Sequence, residues 1–271
     1  MIEPGMYPHL SNEDYHSDSA ISRSGIMTYL DSPYKYWAHY INTNREKKEV
    51  TQSMILGSAF HTFVLEPDKF YRQYVIEPEK VLLKNVGREA YEDYKLKLEI
   101  MKTDRRILIS NSEWDLLCIM HQALEKHSEA WDLIQGAQYE QSYFWQDKES
   151  GLMVKCRPDI LHNNIIVDLK TIASASSRYY QRRMYESGYH IQGAMIREGI
   201  RETTGKDIPN VINVCIEKVY PFEIGIKIIS EKALDEGRRK FKAVSLDINH
   251  SIVNNTWESY QPETVDLPGW V

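Results

Sequence analysis

The chain has 271 residues, 42% hydrophobic and 27% charged, with a formal net charge of −6, the profile of a globular domain long enough to bury a sizeable core. The acidic balance excludes nonspecific coating of nucleic acid, which needs excess Lys and Arg to release counterions, yet leaves room for a DNA enzyme with a local basic channel. No apolar run reaches the roughly 18 residues of a spanning helix, the opening MIEPGMYPHLSNEDYHSD is unlike a signal peptide, and Cys118, Cys156 and Cys215 share no close spacing, so a cytoplasmic protein without membrane contact, disulfide framework or zinc site is expected.

After an irregular opening, SRSGIMTYLDSPYKYWAHYI predicts a helix, a turn at Ser32-Pro33 and a second, aromatic helix, with Ser22 or Ser24 as N-cap. Residues 42–52 read as a solvated, charged connection. SMILGSAFHTFVLEP then predicts a buried helix closed by Pro67, with Ile55, Leu56, Ala59, Phe60, Phe63 and Val64 on its apolar side. Gly57 and His61, four residues apart, share one face of it. Residues 71–86 read as extended, and 87–136 as helical with Ser112 as a cap.

Three strands are predicted next, at 139–145, 151–160 and 164–171, separated by the turn formers DKES and HNN. A helical region interrupted near Gly188 follows. Two further strands, NVINVCIEKV and FEIGIKII, and a closing helix from Ser230 complete the chain. This order predicts an α/β domain, bordering on α+β, built on one central mixed sheet flanked by helices. A single domain over 1–271 is expected, helical from about 20 to 136 and with its sheet from about 139.

The chemistry concentrates in KCRPDILHNNIIVDLKT, residues 155–171. With Asn163-Asn164 as the centre of a tight hairpin, a place where Asn tolerates positive φ, residue i faces residue 327 − i, which sets Asp159 opposite Asp168. Like charges facing each other destabilise a sheet unless a cation neutralises them or one acid keeps its proton. Lys170 lies on the same strand face as Asp168. Two hard carboxylates suit Mg²⁺ or Mn²⁺ completed by substrate phosphate, and a lysine beside them can steady the charge that develops in phosphodiester hydrolysis. Removing either charge, as Asp159→Asn or Asp168→Asn, is therefore expected to leave the metal-free fold as stable or more so.

Pro158-Asp159 followed by Asp168-Leu169-Lys170 resembles the PD-(D/E)xK nuclease signature, and its surroundings resemble the RecB-like branch, in particular the RecE-type exodeoxyribonucleases of phages and prophages. The likeness spans nearly the whole chain, through ISRSGIMTYLDSPYKYW, LGSAFHTFVLEPDKF with its G-x-x-x-H element, the central hairpin, YHIQGAMI and the final LPGW. It implies a fold with a central mixed sheet flanked by helices, metal ligation by His61, Asp159 and Asp168, a catalytic role for Lys170, and Glu140 as the assisting upstream acid. Gln192 matches the glutamine of the branch's Q-x-x-x-Y element, with Ile196 standing where tyrosine is expected and Tyr189 one turn before as a substitute. Arg178, Arg182 and Arg183 are candidate DNA contacts, and Arg238, Arg239, Lys240 and Lys242 form a second basic cluster.

The resemblance further implies a Mg²⁺-dependent (or Mn²⁺-dependent) exonuclease that digests one strand of linear duplex DNA, 5′ to 3′, leaving single strand for recombination. Double-stranded DNA ends, a homo-tetramer and a single-strand annealing protein are the partners it implies. A PD-(D/E)xK endonuclease and a non-catalytic DNA-end-binding protein on the same fold are the alternatives. The aromatic segments YKYWAHY and LPGW are candidates for a subunit interface.

Overall fold

The computed structural model describes residues 2–46, 50–79 and 87–266. The first half contains β1 (Gly5–Tyr7), α1 (Asn12–Ser17), α2 (Arg23–Asp31), α3 (Pro33–Tyr36) prolonged by a π-helical turn at Trp37–Ile41, α4 (Gln52–Leu65), α5 (Pro67–Gln73), β2 (Tyr74–Ile76), α6 (Arg88–Lys102), β3 (Ile107–Ile109), α7 (Asn111–Lys126) and α8 (Ser128–Asp132). The second half contains β4 (Gln138–Tyr139), β5 (Ser142–Gln146), β6 (Met153–Cys156), β7 (Ile160–His162), β8 (Ile165–Ile172), α9 (Ser177–Glu186), α10 (Tyr189–Thr204), β9 (Asn210–Glu217), β10 (Ile224–Ile228) and α11 (Glu231–Asn254).

The single sheet expected from sequence is divided. A mixed five-stranded sheet in the order β10-β9-β8-β7-β4 forms the centre, β1-β5-β6 forms a second sheet, and β2 pairs with β3. The centre is mixed because β8 and β9 run parallel while its other neighbours are antiparallel. α10, backed by α11, covers one face of β8, where Ile166 joins Ile191, Met195, Ile196, Leu234 and Phe241 in one core. α4 and α7 cover the other, packing Phe60, Leu117 and Leu124 against Val167, Leu169 and Val214. A Cβ at Gly237 would stand 2.3 Å from the His190 carbonyl oxygen, so glycine lets α11 approach α10 this closely.

Local signals explain most element ends. The Ser22 hydroxyl accepts from the Gly25 N–H and starts α2, and Thr51 starts α4 in the same way. Pro67 does double duty, ending α4 and occupying the first turn of α5. Gly188, at φ 67°, separates α9 from α10. The helical stretch expected over 87–136 is instead broken by β3, and its cap is Ser110 rather than Ser112. Ser110 and Glu113 form a reciprocal capping box that places Ser112 inside α7. Of the stretch read as extended, α5 runs to Gln73 and β2 takes 74–76, while 80–86 lies outside the described residues.

Of the two aromatic segments considered for an interface, YKYWAHY packs partly inward. Tyr36 is buried, with Tyr40 and Trp257 stacked on it at centroid distances of 4.9 and 6.0 Å. LPGW lies outside the described residues.

Candidate active site

Two predicted strands, 139–145 and 151–160, are each interrupted, the first near its start and the second near its end. β4 and β7 pair in the central sheet, β5 and β6 in the second, and the chain crosses between the sheets at 140–141 and again at 157–159. Pro158 has no N–H to give a ladder and suits such a crossing. Glu140 sits in the left-handed region at φ 50°, a conformation uncommon for a non-glycine residue, and its N–H donates to the Asp159 carbonyl at 3.1 Å. The two acids therefore meet at the seam between sheets.

The hairpin follows the predicted register. Ile160 faces Val167 and His162 faces Ile165, and Asn163 and Asn164 take φ of 45° and 63°, as a two-residue turn of this hand requires. Asp159 lies one step beyond the last pair, where the register continued would set it opposite Asp168, and the Leu169 N–H donates to Asp159 Oδ2 at 2.8 Å.

His61 reaches the seam from α4, with Nδ1 3.3 Å from Asp159 Oδ2. A Cβ on Gly57, one turn earlier, would lie 3.6 Å from Thr171 Oγ1, in line with the shared face read from spacing. Ligand atoms of His61, Glu140 and Asp159 all lie within 4.8 Å of one another. Burial, and then the charge of Asp159, push Glu140 up to about 8; burial and the charge of Asp168 push Asp159 up to about 6. Carboxylates crowded into a partly buried seam, where burial raises their proton affinity and the nearby Arg157, His61 and Lys170 offset it only in part, form a donor set that fits a divalent cation.

Asp168, expected among the ligands, is next to this group but differently employed. Its Oδ1 accepts from Gln192 Nε2 at 2.7 Å, and its Oδ2 from Asn213 Nδ2 at 3.1 Å and from Lys170 Nζ. Lys170 also donates to Gln192 Oε1 at 3.1 Å and lies over the Tyr189 ring, 4.8 Å from its centroid. Burial alone would lower its pKa, but Asp168 and Asp159 outweigh it and hold the amine above its ordinary value, as an ammonium. The side chains of Asp168 and Lys170 are 3% and 14% exposed, so they are an interior pair. Ile196 is 1% exposed and belongs to the core under α10, while Tyr189 is the aromatic that meets the lysine.

The seam opens into a cleft of about 460 Å³ lined by His61, Glu66, Glu140, Arg157, Tyr15 and Arg23, which adjoins a larger one of about 810 Å³ that adds Lys155, His39, Tyr40 and Arg45. The cations here are anchored on neutral acceptors. Arg23 donates to the Ser187 carbonyl at 3.1 Å, Arg45 to the Tyr40 carbonyl at 3.1 Å, Lys155 to the Tyr15 and Asp18 carbonyls at 2.5 and 2.8 Å, and Arg157 to Ser142 Oγ at 2.8 Å and to the Leu10 carbonyl. Among the described residues none of the four lies in an ion pair with a carboxylate. Burial lowers the His16 pKa, and Lys155 and Arg157 lower it further, as a positive field would.

Arg178, Arg182 and Arg183 are exposed on α9 and do not line either cleft; Arg182 is paired with Glu186 at 2.7 Å. The second basic cluster is tied to acids: Lys242 to Asp147 and Glu198, Arg238 to Glu198 at 2.9 Å and Arg239 to Glu236 at 2.8 Å. Sequence reading missed Arg23, Arg157 and Asn213. Asn213 did leave a signal, a lone amide inside the apolar run VINVCI.

The sequence profile described as "PDDEXK-like domain of unknown function (DUF3799)" matches residues 22–266. The structure is similar to the crystal structure of a protein named "Putative exonuclease" from Eubacterium rectale, with a TM-score of 0.64 at 16% identity over 94% of this chain and 96% of that one. No curated protein matches the sequence significantly. The fold is that of the PD-(D/E)xK nucleases, and among the described residues no helix is long and apolar enough to cross a membrane.

Proposed function

The chain belongs to the PDDEXK-like DUF3799 family, and we propose that it is a divalent-metal-dependent exodeoxyribonuclease acting on the ends of linear duplex DNA. The observation that carries this reading is the seam itself: His61, Glu140 and Asp159 gathered beside an Asp168–Lys170 pair, with His61 and Glu140 lining a cleft whose cations form no ion pair with a carboxylate among the described residues. The Eubacterium rectale protein's name supports the exonuclease direction. Cleavage of one strand from 5′ to 3′, a role in recombination and a ring-like homo-tetramer belong to the same proposal.

His61, Glu140 and Asp159, together with Asp168 beside them, would hold the cation, Mg²⁺ or Mn²⁺ by the hardness of the carboxylate donors. When bound, it supplies Lewis-acid stabilisation of charge on the scissile phosphate and lowers the proton affinity of the attacking water. Lys170, an ammonium with hydrogen bonds to Asp168 and Gln192, has a further N–H to orient that water or a phosphate oxygen. Gln192 bridges Asp168 and Lys170, fixing the amine relative to the acids. Arg23, Arg45, Lys155 and Arg157, in no ion pair with a carboxylate among the described residues, can take the neighbouring phosphates.

The test is digestion of end-labelled linear duplex and covalently closed duplex, each with Mg²⁺ or with EDTA. Loss of linear DNA with Mg²⁺ alone is expected. Activity that survives EDTA overturns the metal dependence, and equal cutting of the closed circle makes the protein an endonuclease.

The two basic surfaces separate by salt dependence. Each lost phosphate contact should flatten the slope of log affinity against log salt by about 0.9. The double substitution Arg23→Gln with Arg45→Gln is therefore expected to reduce the slope by about 2 for duplex DNA, independent of sequence. Replacing Arg178, Arg182 and Arg183 together should change it less, because Arg182 already has Glu186 as a partner. Binding isotherms at several salt concentrations decide, and a larger change from the α9 triple would move the DNA path onto that helix.

A further inference from the structure

Asp168 is held by more than its lysine. On β9, Asn213 stands in register with Asp168 across the parallel ladder and donates from Nδ2 to Asp168 Oδ2 at 3.1 Å. Behind it, the Tyr180 hydroxyl from α9 meets Asn213 Oδ1 at 2.8 Å. The direction of this chain is dictated by chemistry. A carboxylate only accepts, so the amide must turn its NH₂ to Asp168, which leaves its oxygen toward Tyr180 and makes the phenol the donor. Tyr180, Asn213 and Asp168 are 5%, 2% and 2% exposed, so water does not compete for these bonds. The Tyr180 ring is itself clamped among Ile172, Ala175, Tyr189 and Cys215.

We infer that Asn213, oriented by Tyr180, is a positioning residue that holds the Asp168 carboxylate for the metal centre. Oδ2 receives Asn213 and Lys170, and Oδ1 receives Gln192. Without the amide, Lys170 is the sole grip on Oδ2, and the carboxylate can swing with that flexible side chain. An amide in the middle of a buried strand otherwise carries only a desolvation cost, which is offset here by two bonds, one to Asp168 and one from Tyr180. Partners of this kind, one bond removed from the ligands, typically change metal affinity or activity by about 10–100-fold when lost.

The inference rests on the nuclease reading for its rate readout but not for its binding readout. Asn213→Leu, which keeps the branching and the number of side-chain heavy atoms, is expected to weaken Mn²⁺ binding measured by calorimetry without DNA by about 10–100-fold and to lower turnover at saturating metal. Tyr180→Phe keeps the ring and removes only the hydroxyl; a smaller loss of the same kind, about 3–10-fold, is expected. It also serves should Asn213→Leu fail to fold. Variants with native melting curves and unchanged Mn²⁺ affinity and turnover overturn the positioning role while leaving the nuclease reading intact. A wild-type chain that binds Mn²⁺ but does not cut DNA overturns the nuclease reading, with the calorimetric comparison still deciding the role of Asn213. A wild-type chain that does not bind Mn²⁺ overturns both.

Discussion

Asp159→Asn is expected to cut nuclease turnover by about 10³-fold or more and, in the same preparation, to raise the melting temperature of the metal-free protein at neutral pH by about 2–5 °C. Both effects have one cause. Asp159 is crowded by burial and by Asp168, and Glu140 by burial and by Asp159, so both acids hold protons more tightly when folded than when unfolded. Between the ordinary carboxylate range and their folded values of about 6 and about 8, the native state binds more protons than the unfolded one. Stability of the metal-free protein therefore falls as pH rises across that window. Asn at 159 removes one negative charge and relieves Glu140, which flattens the decline. Mg²⁺ is expected to oppose the decline in the wild type and to do less in the variant. Melting curves from pH 4 to 9 with EDTA and with Mg²⁺ check this; a wild-type metal-free curve that rises through the window would refute the account.

The same logic does not extend to Asp168. From the sequence, Asp168→Asn is expected to be neutral or stabilising, since it too removes a facing charge. In the structure Asp168 is the counter-charge of buried Lys170, and breaking such a pair on one side leaves an uncompensated ammonium. Asp168→Asn is accordingly expected to destabilise the protein.

Lys170→Met should lose about 10²–10³-fold in rate, the scale for removing one group that stabilises developing charge, while Mn²⁺ affinity falls by no more than about 10-fold, the low end for a partner one bond removed from a ligand. Met retains most of the stem volume that packs against Tyr189. Asn213 and Gln192 continue to donate to Asp168, so each carboxylate oxygen keeps one hydrogen bond. Calorimetry and single-turnover digestion at saturating metal separate the two quantities. Near-native turnover would reduce the lysine to a structural counter-ion.

The hairpin at 155–171 is legible in the amino-acid sequence, because its determinants are local. Two asparagines that tolerate positive φ set the register, the two-residue period of a strand puts Asp168 and Lys170 on one face, and the four-residue spacing puts Gly57 and His61 on one face of α4. The same locality places the aromatic helices, the break at Gly188 and the mixed α/β class. Glu140 is singled out by resemblance and by its position upstream, but as part of a continuous strand. Only the folded chain shows that it occupies a left-handed break between two sheets, since no property of YEQSYFW distinguishes one strand from two.

What tertiary structure alone decided is pairing across long separations. Asn213 meets Asp168 because β9 lies parallel to β8, forty-five residues on, and Arg157 lines the cleft because β6 ends where the sheets part. The basic clusters show the reason most plainly. RRKFK is as eligible for phosphate as any run in the sequence, yet Arg238, Arg239 and Lys242 fold against Glu198, Glu236 and Asp147, while the scattered Arg23, Arg45 and Arg157 end on carbonyls, a hydroxyl and an amide. A side chain's charge is written in the sequence, but whether that charge is already neutralised depends on which acid lies within about 4 Å in space.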